Sequence, residues 1–198
     1  MKSSATAHRS YLMLIICSYL LLGIPLRSES QEAKFADLLI TNNAGQMLVY
    51  ARVMNCFTQN IEAAILAGVP TTFTFLFDFY QERPYWWDKK MAGHIIKHTL
   101  KYDNLKKMFY LTSTSSRESA TFQTFESAKR AMSELNGVAV YQTTALAKDR
   151  SYYLNMKAKL DQVRLPFHME SLFFFVSAWD FETDWYKLKI TYKKMMTP

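Results

Sequence analysis

The chain is short of the residues that carry covalent chemistry. It has two cysteines in 198 residues, and Cys17 lies inside an apolar N-terminal run, so Cys56 alone is left for the remainder. An internal disulfide there is excluded. The flanks of Cys56, "VMNCFTQ", bring no histidine or other base beside it, which points to a buried inert thiol rather than a nucleophile. Phosphate loops, dinucleotide fingerprints and nucleophile elbows are missing. Histidines number four. His94 and His98 in "HIIKH" fall on one face of either a helix or a strand, but a metal needs further ligands, from His168 or a distant carboxylate. No His-Glu-x-x-His, His-x-His or Cys-x-x-Cys pattern supplies them. Asp78, with Glu82 and Asp88 beyond it, is a carboxylate group without a cleft or separated pKa values to recommend it, and reads as solvent-facing charge. The expectation is no catalytic residue, no metal and no cofactor.

Beyond the first thirty residues, no apolar stretch is long enough to span a bilayer, and "LFFFV" at 172–176 has the length of a strand. The front end differs. Lys2, His8 and Arg9 precede the apolar run Tyr11–Leu26, and "RSESQEA" follows with small residues at Ser28 and Ser30, suited to cleavage before Gln31. Residues 1–30 read as a signal peptide that sends the rest to the periplasm. The alternative is an inner-membrane anchor over residues 11–26, which at sixteen residues is somewhat short for a span of ~20. The remainder, residues 31–198, has the size of one domain. Without Lys2, Arg9, Arg27 and Glu29, the 24 basic and 17 acidic residues become 21 and 16, a net +5. The charges are scattered, and no dense Lys/Arg cluster points to nucleic acid.

Glycine and proline are also scarce, five of each, so those present mark boundaries. Between them the dominant period is two. Phe73, Phe75, Phe77 and Phe79 fall on one face of a strand, opposite Thr72, Thr74, Leu76 and Asp78. "YYLNMKAKLD" and "YKLKITYK" alternate in the same way, with lysines 157, 159, 187, 189 and 193 outward. "MLVYARV" and "MFYLTS" read as half-buried strands, and Asn-Asn-Ala-Gly at 42–45 as a hairpin turn. Two segments break the alternation. Thr58 and Thr124 are N-caps for helices over about 58–67 and 124–136, with Gly68 and Gly137 as the terminating residues. Each helix is followed by Val and a strand, so the two halves echo one another. The predicted fold is mainly β: an antiparallel β-sandwich-like domain with two short helices and two related helix-plus-strands halves.

"ERPYWWD" ends the long Phe strand. Pro84 removes a ladder donor, and Trp86 and Trp87 point opposite ways on extended backbone. One reading makes them a plug that closes the end of the sandwich. The other leaves an indole exposed as an interaction anchor, with Arg83 stacked on one of the rings. Arg83, Trp86 and Trp87 are the candidate binding residues.

"EAAILAGVP", "ERPYWWD", "LKYDNLKKMFYL", "FESAKRAMSELNGV" and "LDQVRLP", in this order, resemble the bacterial exported family known as domain of unknown function 4390, over about residues 35–190. Gly68-Val69-Pro70, Arg83 with Trp86-Trp87, Leu100-Lys101-Tyr102 with Tyr110, and Leu160-Asp161 with Leu165-Pro166 carry the likeness. The family pattern is expected to be richer in Arg and Leu where this chain has Lys, Met and Phe. The resemblance implies export beyond the inner membrane of a Gram-negative bacterium and no activity. Through genes of the family that often look like neighbours of a membrane sensor kinase gene, the resemblance also implies, by association, a link to envelope signalling.

Three functions fit these features. The first is a non-catalytic envelope module that binds another protein, with a membrane sensor kinase as candidate partner. The second is a carrier of a lipid or other apolar ligand, suggested by 15% aromatic residues and eleven methionines. The third, a metal-dependent hydrolase, rests on His94 and His98 alone. Membrane contact is expected only through the leader or through a basic sheet face, should the two lysine-bearing strands be neighbours.

Overall fold

At Ala44 and Gly45 the backbone turns left-handed, with φ of 49° and 79°. This two-residue turn folds strand β1 (Lys34–Asn43) back on β2 (Gln46–Met54), so that Asn43 faces Gln46. Positive φ at both central positions matches the twist of a hairpin; Gly45 takes it freely, while Ala44, rather than either asparagine, takes it against the steric cost of its Cβ. The computed structural model describes residues 32–116, 119–161 and 181–190. Contacts separate residues 1–31 from 32–198, and the fold is that of the second unit. The leader, "LFFFV", His168, Leu165-Pro166 and Lys193 lie outside the described residues.

Thr58 starts helix α1 (Gln59–Leu66), its hydroxyl accepting the Ile61 N–H at 3.3 Å, and Gly68 turns the chain out of it at φ 87°. Strands β3 (Thr71–Gln81), β4 (Lys89–Asp103), β5 (Met108–Ser113) and β6 (Ala120–Phe122) follow. Helix α2 (Phe125–Ser133), capped by Thr124, then leads to β7 (Glu134–Gln142), β8 (Tyr152–Leu160) and β9 (Tyr186–Ile190). The strands form two antiparallel sheets, ordered β1-β2-β7 and β6-β5-β4-β3-β8-β9.

The Phe ladder lies in the middle of the larger sheet. Phe73, Phe75, Phe77 and Phe79 are each at most 1% exposed. They register with Leu160, Ala158, Met156 and Leu154 of β8. The smaller sheet brings Met47, Val49, Ala51 and Val53 from β2, and Leu135, Val138 and Val140 from β7, into the same core. Phe79 meets Tyr141 of β7 at 4.8 Å between ring centres. The arrangement is the expected mainly β sandwich with two short helices, and alternation explains why: each strand has one apolar face to bury. Phe125 of α2 stacks on Phe109 at 5.3 Å and Phe57, before α1, meets Phe73 at 5.2 Å. Lys129 of α2 reaches Glu62 of α1 at 2.7 Å and lies 4.8 Å over the Phe125 ring, linking the helices.

Two details differ from expectation. Helix α2 ends at Ser133 rather than 136, because Glu134 is already extended and paired with Arg52 of β2. The Arg52 guanidinium reaches the Glu134 carboxylate at 2.6 Å. Gly137 therefore lies within β7, not at a helix end. Its φ of 68° marks a bulge opposite Tyr50 that strains any other residue, and an added Cβ would lie a tight 3.1 Å from Tyr50 Oη. The echo between the halves accordingly stops at the capped helices. α1 leads into the middle of the larger sheet, whereas α2 leads into the outermost β7 of the smaller one.

His98 is buried on the inner face of β4, against the Phe75 ring at 5.0 Å, and its Nδ1 donates to the Met132 carbonyl at 3.0 Å. Burial disfavours the imidazolium and outweighs that hydrogen bond, so the His98 pKa lies below its ordinary value. The unfolded chain binds the proton first. The stability contributed by neutral His98 is full above about pH 6.5 and is lost as pH falls through the folded pKa. We expect the urea midpoint to drop between roughly pH 7 and 5, a window in which ordinary carboxylates stay largely ionised. His98→Gln should flatten that slope; an equal slope in both proteins would refute the assignment.

Candidate functional site

The stretch between β3 and β4 leaves the sheet as a braced loop. The Glu82 N–H donates to the Ser151 carbonyl at 2.9 Å, which attaches the start of the loop to the segment before β8. Asp88 closes it. One carboxylate oxygen accepts the Arg83 N–H at 3.1 Å, and the other accepts the Tyr153 hydroxyl at 2.8 Å. These bonds, the Tyr153 hydroxyl foremost, hold the Asp88 carboxyl below the usual carboxylate range, while burial and Asp88 together push Tyr153 up to about 12. Tyr153 is held in turn: Tyr80 stacks on it at 5.2 Å and Lys187 Nζ lies 3.6 Å above its ring.

On this base, Tyr85 takes a left-handed φ of 78° and the aromatic side chains project outward. Tyr85 is 99% exposed, Trp86 74% and Trp87 89%. They border an open pocket of about 550 Å³. A second cleft, of about 510 Å³, runs beside it between Glu82, Arg83 and Asp88 on one side and Asp149 and Arg150 on the other. The plug reading is therefore corrected: neither indole enters the core. That end of the sandwich is closed by Tyr141 and Tyr152, whose rings lie 4.8 Å and 5.6 Å from Phe79. With Phe79 already covered, the loop has no apolar space to fill. Arg83 lines the cleft, and among the described residues it makes no cation–ring contact.

The other carboxylate candidates are engaged in ion pairs. Asp78 pairs with Lys90 at 2.7 Å and Glu82 with Lys187 at 3.6 Å. His94 and His98 lie on a strand, where four residues span ~13 Å, too far apart for one ion. Among the described residues no group of three His, Cys, Asp or Glu side chains is placed to hold a metal. Cys56 is buried and donates to the Val53 carbonyl at 3.3 Å. Burial pushes its thiol up to about 12, which leaves it protonated and unreactive at neutral pH.

Strands β8 and β9 are neighbours, with Asn155 facing Lys187 and Tyr153 facing Lys189. The outward lysines of the two strands thus share one sheet face, although Lys157 pairs with Glu182 and Lys187 with Glu82. Tyr85, Tyr153 and Arg150 had no sequence signal of their own as site residues. Tyr85 could have been weighed with the Trp pair, since a residue after Pro84 and before two indoles belongs to the same tip.

Several of the residues that carry the family resemblance hold the framework. An added Cβ at Gly68 would come 3.2 Å from Asn104 Nδ2, so Gly68-Val69-Pro70 and the "KYDN" turn meet. Asp103 Oδ1 accepts the N–H groups of Leu105 and Lys106 at 2.9 Å and 3.0 Å and shapes that turn. Asp161 accepts from Thr74 and from Lys97, each at 2.6 Å. No curated protein and no solved structure matches the chain. A family model does, over residues 30–189, and its description is Domain of unknown function (DUF4390). The chain belongs to that family.

Proposed function

We propose that the protein is a non-catalytic interaction module of the cell envelope that docks through the Tyr85–Trp87 loop. Its partner would be an envelope protein, with a membrane sensor kinase as the first candidate. The exposed loop supports this reading most. Three large aromatics stand outside the core on a loop braced by Asp88 and Tyr153, and rigid aromatic anchors lose little entropy on binding. The leader-like residues 1–30 and the resemblance to an exported family support the envelope. The carrier reading draws less support, since many of the aromatic and methionine side chains that motivated it, among them Phe73, Phe75, Phe77, Phe79, Met47, Met132 and Met156, are packed into the sandwich core.

The test is photocrosslinking in cells from a reactive residue at position 86. Position 105 is the control, because Leu105 is also exposed, at 96%, and lies in the β4–β5 turn. One dominant protein adduct from position 86 and none from 105 is expected. Trp87→Ala should weaken binding to that partner by roughly 30-fold or more, the usual consequence of losing a hot-spot Trp. Identical adduct patterns from the two positions would sink the proposal.

A further inference from the structure

The docking loop shares its end of the sandwich with the β1–β2 turn, the segment 143–151 and the last residue of β9. The Thr143 N–H donates to the Gly45 carbonyl at 2.7 Å, Gln81 faces Tyr152 across β3 and β8, and Tyr152 faces Ile190. The first residues of β1 lie at the other end, since Asn43 is the β1 residue next to the turn and Lys34 faces Met54. The aromatic tip therefore projects ~30 Å from the start of β1, by the rise of a ten-residue strand.

Charge at this end is unbalanced. Arg83, Lys89, Lys148 and Arg150 are exposed, and none of them has an ion pair among the described residues. Of the acids nearby, Glu82 is paired with Lys187. Asp88, hydrogen-bonded by the neutral Tyr153 hydroxyl and Arg83 N–H, keeps its charge, as does Asp149 in the cleft, so these four cations face two carboxylates. The tip thus carries two indoles and a phenol inside a set of free cations. Trp and Tyr combine an apolar body with a polar handle, and they settle where hydrocarbon meets headgroup. Free lysines and arginines beside them attract phosphate-bearing, negatively charged headgroups.

We propose that the Tyr85–Trp87 loop inserts its three rings into the headgroup layer of an anionic phospholipid bilayer, with Arg83, Lys89, Lys148 and Arg150 contacting lipid phosphates. The proposal rests on the reading that this loop is the docking element, and it puts a bilayer in place of a protein as what the rings touch, so the two partners give opposite crosslinking outcomes at position 86. The domain then stands end-on, with β9 ending near the bilayer and β1 starting far from it.

The test uses the full-length protein with vesicles of phosphatidylglycerol and phosphatidylcholine, against vesicles of phosphatidylcholine alone. The apolar residues 11–26 can attach any variant to either vesicle, so the readout must be local to the loop. Tryptophan emission and its quenching by brominated lipid are compared between the parent and Trp86→Ala/Trp87→Ala. A blue shift and quenching on the anionic vesicles are expected in the parent and lost in the double variant, whose melting temperature should match the parent's because both indoles are exposed. Lys89→Gln and Arg150→Gln should each lower the affinity that drives the blue shift roughly fivefold, and high salt should mimic them. Emission that depends on Trp86 and Trp87 yet does not change on anionic vesicles overturns the lipid assignment. If position 86 still crosslinks to one protein in that case, the docking reading stands and only the bilayer falls; if it does not, both fall.

Discussion

Phe77→Ala should destabilise the protein by about 3–5 kcal/mol, the range for deleting a buried phenylalanine. Phe77 is 1% exposed and lies between His94 of β4 and Met156 of β8 in the middle of the larger sheet. Its ring faces the smaller sheet, so the cavity left by alanine opens at the centre of the sandwich, where strands on both sides limit collapse. Domains are stable by only ~5–15 kcal/mol, so this single change removes a large share of the total. Leu76, next in sequence, points to the outer face, and Leu76→Ala should cost about 1 kcal/mol or less. Urea denaturation of the two variants measures the difference. A Phe77→Ala protein as stable as Leu76→Ala would mean that the ladder does not face the core.

The second large effect is expected at Asp161, just past β8. Its N–H donates to the Thr72 carbonyl at 2.8 Å, and its carboxylate accepts the Thr74 hydroxyl and the Lys97 ammonium. Three strands of the larger sheet are thus joined at one residue. Thr74 is only 3% exposed, so Asp161→Ala strands a buried hydroxyl, at about 1–3 kcal/mol. The Lys97 side chain is 46% exposed and returns to water, which adds at most ~1 kcal/mol. Asp161→Asn keeps an acceptor for Thr74 and should cost less. Burial pushes the Asp161 carboxyl up, but hydrogen bonds from Lys97 and Thr74 outweigh it and hold the pKa below the ordinary carboxylate value. The unfolded chain therefore takes up the proton first. This contribution is full above about pH 4 and drains as pH falls further toward the folded pKa. His98 acts at higher pH, so the two limbs separate: His98→Gln flattens stability between roughly pH 7 and 5, and Asp161→Asn flattens it below about pH 4. If Asp161→Asn left the acid limb as steep as in the parent, the ion pair with Lys97 would be of no consequence for stability.

These effects bear on function because the larger sheet mounts the docking loop. β3 and β4 flank it directly, β8 supplies Tyr153, and β9 supplies Lys187. The loop itself carries no part of the core. Substitutions at Trp86 and Trp87 should therefore change binding without changing stability, while Phe77 and Asp161 should do the reverse. That separation is what makes the crosslinking and vesicle experiments interpretable.

Much of the framework was legible because it depends on near neighbours in the chain. Alternation over Thr72–Phe79 and Tyr152–Leu160 follows from the two-residue repeat of a strand. Thr58 and Thr124 cap helices through bonds that reach three residues ahead. The turn at Ala44 and Gly45 forms where Gly45 accepts positive φ from its own backbone. The end of α2 departs from its capping pattern for the opposite reason: Glu134 leaves the helix to pair with Arg52, 82 residues away. The Trp pair was ambiguous in the same way. Its exposure depends on Tyr141 and Tyr152 having already covered Phe79, and alternation along "ERPYWWD" contains nothing about either.

What the sequence by itself determined, then, is which residues alternate, which helices begin where, and that aromatic side chains far outnumber reactive ones. Only the tertiary structure decided which strands share a sheet, that β8 and β9 bring their lysines to one face, and that Tyr85, Trp86 and Trp87 remain outside. The physical reason is range. Steric alternation and capping are fixed within a few bonds, whereas burial is assigned by competition among distant side chains for one core, and the bonds that hold the loop, such as Tyr153 to Asp88, join residues 65 apart in the chain.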